Sequence, residues 1–341
     1  MDQALLILKT ASNAVLPIVL LILLGYWLRR INFVSADFVK LGNKLVFNVF
    51  LPCMLFINVY DIKGFDSISW DIVIYSVIMV FLIFLLGVGL AVFVTKTPRM
   101  RGPITQCTFR SNFAIIGLPL ATALGGTEAA ATAAIISAFT IPVFNILAVL
   151  SLTMYETGDG KSRLDIKGIL KKIAKNPLII SIMLGLICLG LRSLQTAVFG
   201  KTVFMMKDIG FVYDTVNKLK SIASPFALVV LGGQFTFSAV KSLWKEIAVG
   251  TVGRIVIAPV LGIGLAIILN ALGILNCGTT EIPALIALFG SPAAVSSAVM
   301  AAQMGSDEQL AVQLVVWTSI LSIITIFLTV CLLMATGFIA I

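Results

Sequence analysis

The chain contains two short Gly-x-Pro sequences inside long apolar stretches, Gly117-Leu118-Pro119 and Gly290-Ser291-Pro292. Each is followed by a run of small residues, an acidic loop and another apolar segment. Because proline removes a backbone donor and blocks a helix interior, each sequence predicts a helix interrupted at membrane depth. Hydrocarbon tolerates such an interruption only where protein or a wet cavity covers it. A matched pair of interruptions, one in each half of a chain, therefore predicts the substrate site of a secondary transporter.

The composition is that of an integral membrane protein. Of the 341 residues, 60% are hydrophobic and 11% are charged, whereas a soluble domain carries roughly 25% charged residues. The absence of histidine removes the side chain most used in zinc sites, proton relays and Ser-His catalysis. The five cysteines are scattered through apolar runs and predict neither a metal site nor a disulfide framework. We therefore expect no enzyme activity, no catalytic residues, no cofactor and no bound metal.

Ten segments have the length of about 20 mostly apolar residues that a helix needs to cross a bilayer. They are residues 12–29, 39–59, 72–95, 104–125, 129–155, 176–196, 205–237, 246–270, 281–303 and 308–338. In the seventh, the charged and amphipathic part at 205–221 predicts an interfacial or tilted lead-in, with the span proper at 222–237.

The lysines and arginines indicate how these spans are oriented. With ten spans, one set of loops holds Arg29, Arg30, Lys40, Lys44, Lys96, Arg99, Arg101, Lys161, Arg163, Lys167, Lys171, Lys172, Lys175, Lys241 and Lys245. The opposite set holds Lys9, Lys63, Arg192, Lys201, Lys207, Lys218 and Lys220. By the positive-inside rule the first set is cytoplasmic, so both termini lie outside a multi-pass protein of the cell membrane. The net charge of +9 then reflects topology, and we expect no nucleic-acid partner.

The two halves of the chain repeat each other. The tripeptide Asn-Lys-Leu opens the second span at 43–45 and the seventh at 217–219, with Pro52 and Pro225 inside the respective helices. The Gly-x-Pro sequences fall in the fourth and ninth spans, so the period is five. Because five is odd, the second copy enters the membrane inverted, and the two interrupted helices cross antiparallel near the midplane.

The predicted fold is therefore an all-α integral membrane protein. Ten transmembrane helices form two inverted five-helix repeats, at residues 1–155 and 176–341, with broken crossing helices 4 and 9. The polar, basic segment 156–175 is expected to be a cytoplasmic linker, and it ends in an Asn-Pro pair that predicts a helix start.

Polar residues near the first interruption are candidates for substrate binding. Arg110 is a cation within a span, and two interpretations stay open: snorkelling to the interface, or attraction of an anion. Arg254 lies deeper, and we expect it to pair with backbone carbonyls or a carboxylate. The amide of Asn112 can donate to a carboxylate or accept for a cation, and Ser111 adjoins it.

The second interruption contains Ser291, and Ser296 follows it in a run of small residues where helix packing is the favoured interpretation and binding is the alternative. Asn48 and Gln234 reach the cavity from other helices or bond between helices. No carboxylate is placed within the membrane, so helix N-termini favour an anion, and no dedicated sodium or proton site is evident. The complete candidate set is Asn112, Ser111, Arg110, Gly117, Pro119, Ser291, Pro292, Ser296, Asn48 and Gln234.

Three segments resemble the auxin efflux carrier family in its bacterial branch of malate/malonate-permease-like transporters: NKLVFNVFLPCMLF (43–56), FRSNFAIIGLPLA (109–121) and ALFGSPAAVSSAVMAAQMGSD (287–307). The resemblance implies ten helices in two inverted repeats, with a scaffold domain beside a transport domain. It also implies a crossing at Pro119 and Pro292, with Asn112 beside the site. Family members move organic acid anions, which are auxin in plants and dicarboxylates such as malate or malonate in some bacteria. The chain lacks the long central loop and the Asn-Pro-Asn sequence of plant carriers, which argues against auxin.

These observations together predict a secondary transporter for a small organic carboxylate anion. Spans 3–5 and 8–10 would shift as a transport domain against a scaffold of spans 1, 2, 6 and 7, in an elevator-type mechanism. The alternative is a transporter-fold sensor that binds an organic acid without moving it. The expected partners are the anion, the lipid bilayer and a second copy bound through the scaffold, with Na⁺, H⁺ or no coupling ion left open.

Overall fold

A computed structural model describes residues 16–17, 19–61, 70–155 and 175–338. The predicted linker at 156–175 lies outside the described residues apart from Lys175, as do the start of the predicted first span and both ends of the chain.

The described residues form helices joined by short connections. In chain order these are α1 (19–30), α2 (Ala36–Tyr60), α3 (Trp70–Val94), α4 (Pro98–Phe109), α5 (Phe113–Thr153), α6 (Pro177–Phe199), α7 (Gly210–Gln234), α8 (Phe237–Ser242), α9 (Trp244–Ala271), α10 (Glu281–Gly290), α11 (Ser296–Gln303) and α12 (Glu308–Ala335). A single turn of 3₁₀-helix at Met206–Asp208 precedes α7.

Six of these helices are long and apolar enough to cross a membrane, namely α2, α3, α5, α6, α9 and α12. The shorter α10 is also apolar. The described chain is thus a multi-pass α-helical membrane protein, while the arrangement as ten spans in inverted repeats stays a prediction. Most of the lead-in predicted at 205–221 lies in the same helix as most of the span predicted at 222–237, because α7 runs from Gly210 to Gln234.

Three helices widen to a π-helical turn that ends two residues before a proline. The turns are Val46–Phe50 before Pro52 in α2, Phe113–Gly117 before Pro119 in α5, and Gly253–Ile257 before Pro259 in α9. In each, the residue ahead of the proline donates to the carbonyl five positions earlier, as Leu118 N does to Phe113 O. Proline has no N–H and its ring clashes with the carbonyl four residues back, so a wider turn keeps the helix continuous.

This widening overturns the predicted position of the first interruption. Helix α5 passes through Gly117-Leu118-Pro119 without a break, and the non-helical segment lies earlier, at Arg110–Asn112. The second interruption is where it was predicted, because α10 ends at Gly290 and the chain is extended at Ser291.

Local chemistry explains the ends and corners of the helices. Asn176 caps α6 by accepting from Leu178 N at 2.9 Å, which confirms the helix start predicted from Asn-Pro. Within α5 the chain bends at Gly125 and Gly126, close to the predicted boundary between the fourth and fifth spans. Gly126 has φ 66° and ψ −158°, a conformation that essentially only glycine adopts.

Helix packing brings the two interruptions into the interior. α10 packs against α5 and α9, while α2 packs against α6 and α7. α1 approaches α7 so closely that a Cβ atom on Gly25 would lie 1.9 Å from Val229 O. Small residues in membrane helices let helix backbones approach closely, and Gly25 does so here between α1 and α7.

Candidate functional site

The two interruptions lie against each other and run antiparallel. The segment between α4 and α5 pairs with the segment between α10 and α11 through a β-bridge of Ser111 with Ala293. Asn112 N donates to Pro292 O at 2.8 Å, and Ala294 N donates to Arg110 O at 3.1 Å. Two stretches of backbone that lack helical partners therefore satisfy each other away from water. We call these paired segments the crossing.

Arg254 stabilises the crossing through hydrogen bonds to its backbone and to the adjoining helix ends. Its guanidinium comes from α9, is fully buried and donates only to backbone carbonyls. The acceptors are the carbonyl oxygens of Thr108 (3.3 Å), Phe109 (3.1 Å), Leu288 (3.1 Å), Phe289 (2.5 Å) and Ser291 (2.9 Å). These are the C-terminal ends of α4 and α10, where carbonyls lack helical partners and carry partial negative charge. The sequence leaves backbone carbonyls and a carboxylate open as partners of Arg254, and in the structure its partners are backbone carbonyls.

Arg110 is a second buried cation, on the opposite side of the crossing. Only 3% of its surface is exposed, and its Nη2 donates to Asn145 Oδ1 at 2.7 Å. Its Nη1 contacts Gln106 Oε1 and the sulfur of Met300. All of these partners are neutral, and across the described residues no carboxylate forms an ion pair with Arg110. The snorkelling interpretation is therefore wrong, because the guanidinium points into the protein.

Two polar groups beside Arg110 have no hydrogen-bond partner. They are Nδ2 of Asn112 and Oγ of Ser111, and each residue is only 4% exposed. A buried polar group without a partner is unfavourable by about 1–3 kcal/mol, and native structures contain few of them. Both groups can donate a hydrogen bond, so the crossing has unused donors next to an unpaired cation.

A cavity of about 50 Å³ adjoins these groups. Its walls come from the crossing, from α5, and from α2 and α7 opposite. The polar residues in its walls are Asn58, Arg110, Ser111, Asn112, Asn145, Ser224 and Ser296. A water needs roughly 10–15 Å³ of such space, so the cavity has room for a few waters, and a larger ligand requires its walls to separate.

The crossing and this cavity bring together some of the predicted residues. Arg110, Ser111, Asn112 and Ser296 line the cavity. Ser291 and Pro292 lie in the crossing itself. The hydroxyl of Ser291 donates to Ala287 O at 2.6 Å and its carbonyl accepts from Arg254, so this residue serves the backbone.

The remaining four predicted residues lie elsewhere. Gly117 packs against α10, where a Cβ atom would stand 2.8 Å from Ala287 O, and Pro119 is two residues further along α5. Asn48 is exposed and its amide donates to Lys44 O at 2.9 Å within its own helix. Gln234 lines a different cavity, described below.

Three polar residues of the cavity are not among the residues predicted from the sequence, namely Asn58, Asn145 and Ser224. Asn145 had a usable signal, because it is a lone amide in the apolar run IPVFNILAVL, and polar residues inside spans usually face a cavity or a partner. Asn58 and Ser224 stand near a helix end and a proline, respectively, where polar residues have ordinary structural explanations.

A larger vestibule of about 1300 Å³ lies at the far end of α11 from the crossing. Its walls include Arg29, Arg30, Lys40 and Lys44, and the carboxylate among its lining residues is Glu308. Several cations around one concave surface raise the local concentration of anions. All four basic residues belong to the set predicted to be cytoplasmic.

The chain is similar to known membrane transport proteins. The family model described as "membrane transport protein" matches residues 10–330. An uncharacterized transporter of Methanothermobacter thermautotrophicus is 23% identical over 321 residues, which is 93% of this chain and 96% of that protein. An uncharacterized transporter of Methanocaldococcus jannaschii is 24% identical over 272 residues, or 77% of this chain and 81% of that protein.

Proposed function

The chain belongs to the membrane transport protein family, and from that premise we propose that it is a secondary transporter of a small organic carboxylate anion. The family resemblance predicted from the sequence is thereby confirmed, whereas the substrate and the mechanism are our proposal.

The observation that supports an anion is Arg110. This cation is buried beside a cavity, and its partners in the described structure are neutral. A buried charge without a counter-charge is unfavourable by several kcal/mol. A carboxylate in the cavity would supply the counter-charge and accept from the unused donors of Asn112 and Ser111. Charge-assisted hydrogen bonds of this kind are about twice as strong as neutral ones.

The helix ends at the crossing favour the same sign of charge. The cavity is lined by Phe113 and Ser296, the first residues of α5 and α11, so two helix N-termini adjoin it. Helix N-termini attract anions through their free N–H groups and positive partial charge. The opposite, negative ends at α4 and α10 are covered by Arg254. This division leaves positive potential on the cavity side of the crossing.

The position of the cavity supports an elevator-type mechanism. In the ten-span interpretation α1, α2, α6 and α7 form the scaffold, and α3–α5 with α9–α12 form the transport domain. Walls of the cavity come from both groups, α2 and α7 on one side and the crossing with α5 on the other. Displacement of the crossing past α2 and α7 would expose the site to one side of the cell membrane and then to the other. The basic vestibule would face the cytoplasm, with both termini outside.

The test is uptake of labelled carboxylates by proteoliposomes containing the purified protein. Arg110→Gln should abolish saturable uptake while the protein still elutes as a single monodisperse species. Arg99→Gln is the matched control, because Arg99 lies on the same helix α4 but is exposed. Equal uptake by Arg110→Gln and wild type would refute the proposed site. Binding of a carboxylate without flux would indicate the transporter-fold sensor instead.

A further inference from the structure

We propose that the site selects a monocarboxylate whose remaining part is uncharged and mainly apolar, and that it discriminates against dicarboxylates. This inference rests on the proposed function and specifies its substrate class. It departs from the malate- or malonate-like cargo that the resemblance implies.

The charges around the cavity carry this inference. Among its 19 lining residues Arg110 is the single cation, and none is a carboxylate. The other polar members are neutral amides and hydroxyls, and the remaining 12 are apolar. One fixed positive charge balances one carboxylate, and a second carboxylate in the same space would be removed from water without a partner.

Most of the polar groups lie on one side of the cavity. Arg110, Ser111, Asn112 and Asn145 gather at the crossing and α5, where the donors are unused or the amide holds the guanidinium. The wall opposite contains the neutral Asn58 and Ser224 and is otherwise apolar, formed by Leu51, Met54, Leu55, Ala223 and Ala227. A ligand with one charged end and one apolar end matches this division, with the carboxylate at the crossing and the chain toward α2 and α7.

The other cations nearby do not line the cavity. Arg254 donates to backbone carbonyls of the crossing and lies outside the cavity walls. Lys220, one turn before Ser224 on α7, is not among the lining residues. The basic residues of the vestibule line a separate cavity. They would steer an anion toward the protein without adding a second charge to the site.

The experiment compares acids of equal chain length, butyrate with succinate and hexanoate with adipate. Each is tested at neutral pH for thermal stabilisation of the purified protein and for competition with uptake. We expect each monocarboxylate to bind at least tenfold more tightly than its dicarboxylate partner. If succinate or adipate binds as tightly as its partner or more so, the inference is wrong while the proposed function stands. If none of the four acids binds or competes, the proposed function fails as well.

A second variant tests the role of charge directly. Asn58→Lys places a new cation on the α2 wall of the cavity, away from Arg110. It should shift the ratio of affinities toward the dicarboxylate by at least tenfold. Asn217→Lys is the control, because Asn217 is exposed on α7 and outside the cavity. If Asn58→Lys folds correctly and keeps the wild-type ratio of monocarboxylate to dicarboxylate affinity, the inference is overturned. If the variant does not fold, the comparison of the four acids on the wild-type protein decides the inference.

Discussion

Arg254→Met is the substitution that tests most directly how the crossing is held together. Methionine has a similar length and an apolar side chain, but it cannot donate a hydrogen bond. The substitution removes the donors for five carbonyl oxygens at the ends of α4 and α10. It also removes the positive charge that faces two helix C-termini.

Two opposing contributions determine how much the free energy of unfolding falls in Arg254→Met. Each buried acceptor left without a partner is unfavourable by about 1–3 kcal/mol. Against this, removing the guanidinium recovers its desolvation penalty, which is several kcal/mol for a buried ion. Because five acceptors lose their donors, their combined penalty outweighs the recovered desolvation, and we expect Arg254→Met to lower the free energy of unfolding by about 3–5 kcal/mol. The free energy of unfolding of Arg254→Lys should lie between those of wild type and Arg254→Met. An ammonium keeps the charge but offers three donors for the five acceptors.

The free energy of unfolding can be measured by denaturant titration in detergent micelles, with tryptophan fluorescence as the signal. Val256→Met is the matched control, because Val256 lies two residues along the same helix and is 43% exposed, away from the crossing. A free energy of unfolding for Arg254→Met within about 1 kcal/mol of that control would show that the carbonyls find other partners, and would refute the role assigned to Arg254.

Two further substitutions test the packing of the helices and the position of the interruption. Gly25→Ala should reduce the free energy of unfolding by about 1–3 kcal/mol or prevent folding, because the added Cβ would lie 1.9 Å from Val229 O. Gly89→Ala is the control and should unfold like wild type, because no atom lies within 4 Å of its added Cβ. Thermal unfolding of the two purified proteins tests this, and equal melting temperatures would contradict the close approach of α1 and α7. Pro119→Ala should leave carboxylate affinity within about fivefold of wild type, a difference of about 1 kcal/mol. The reason is that Pro119 lies inside α5 and outside the cavity walls. A larger loss of affinity in a ligand titration would show that Pro119 contributes to the site.

The sequence predicts the class of the protein more accurately than the position of its site. Spans are visible because apolar length is a property of consecutive residues, and the second interruption is visible because Ser291 and Pro292 directly follow the end of α10. The sequence predicts the first interruption at Gly117-Leu118-Pro119, because proline normally breaks a helix. The π-helical turn at Phe113–Gly117 lets the helix continue through Pro119. The interruption at Arg110–Asn112 contains no proline.

Pairings across the fold account for the other differences. Arg110 was a candidate with two interpretations, and the choice depended on Asn145, which lies 35 residues further along the chain. Asn48 looked equivalent to any polar residue in a span, but its phase on α2 leaves it exposed and bonded to Lys44 O. For Arg254 the sequence leaves backbone carbonyls and a carboxylate open as partners, and only the folded chain shows carbonyls that belong to two different helices.

The two buried arginines have a consequence for how the protein would respond to voltage. Arg110 and Arg254 both adjoin the crossing, and within the described residues no carboxylate forms an ion pair with either. In the proposed mechanism an empty transport domain would carry both positive charges through part of the membrane field, and a domain loaded with a monoanion would carry one fewer. Moving one elementary charge through the full potential is worth about 2.3 kcal/mol per 100 mV. The membrane potential would therefore act more strongly on the return of the empty carrier than on the movement of the loaded one, even without a coupling ion.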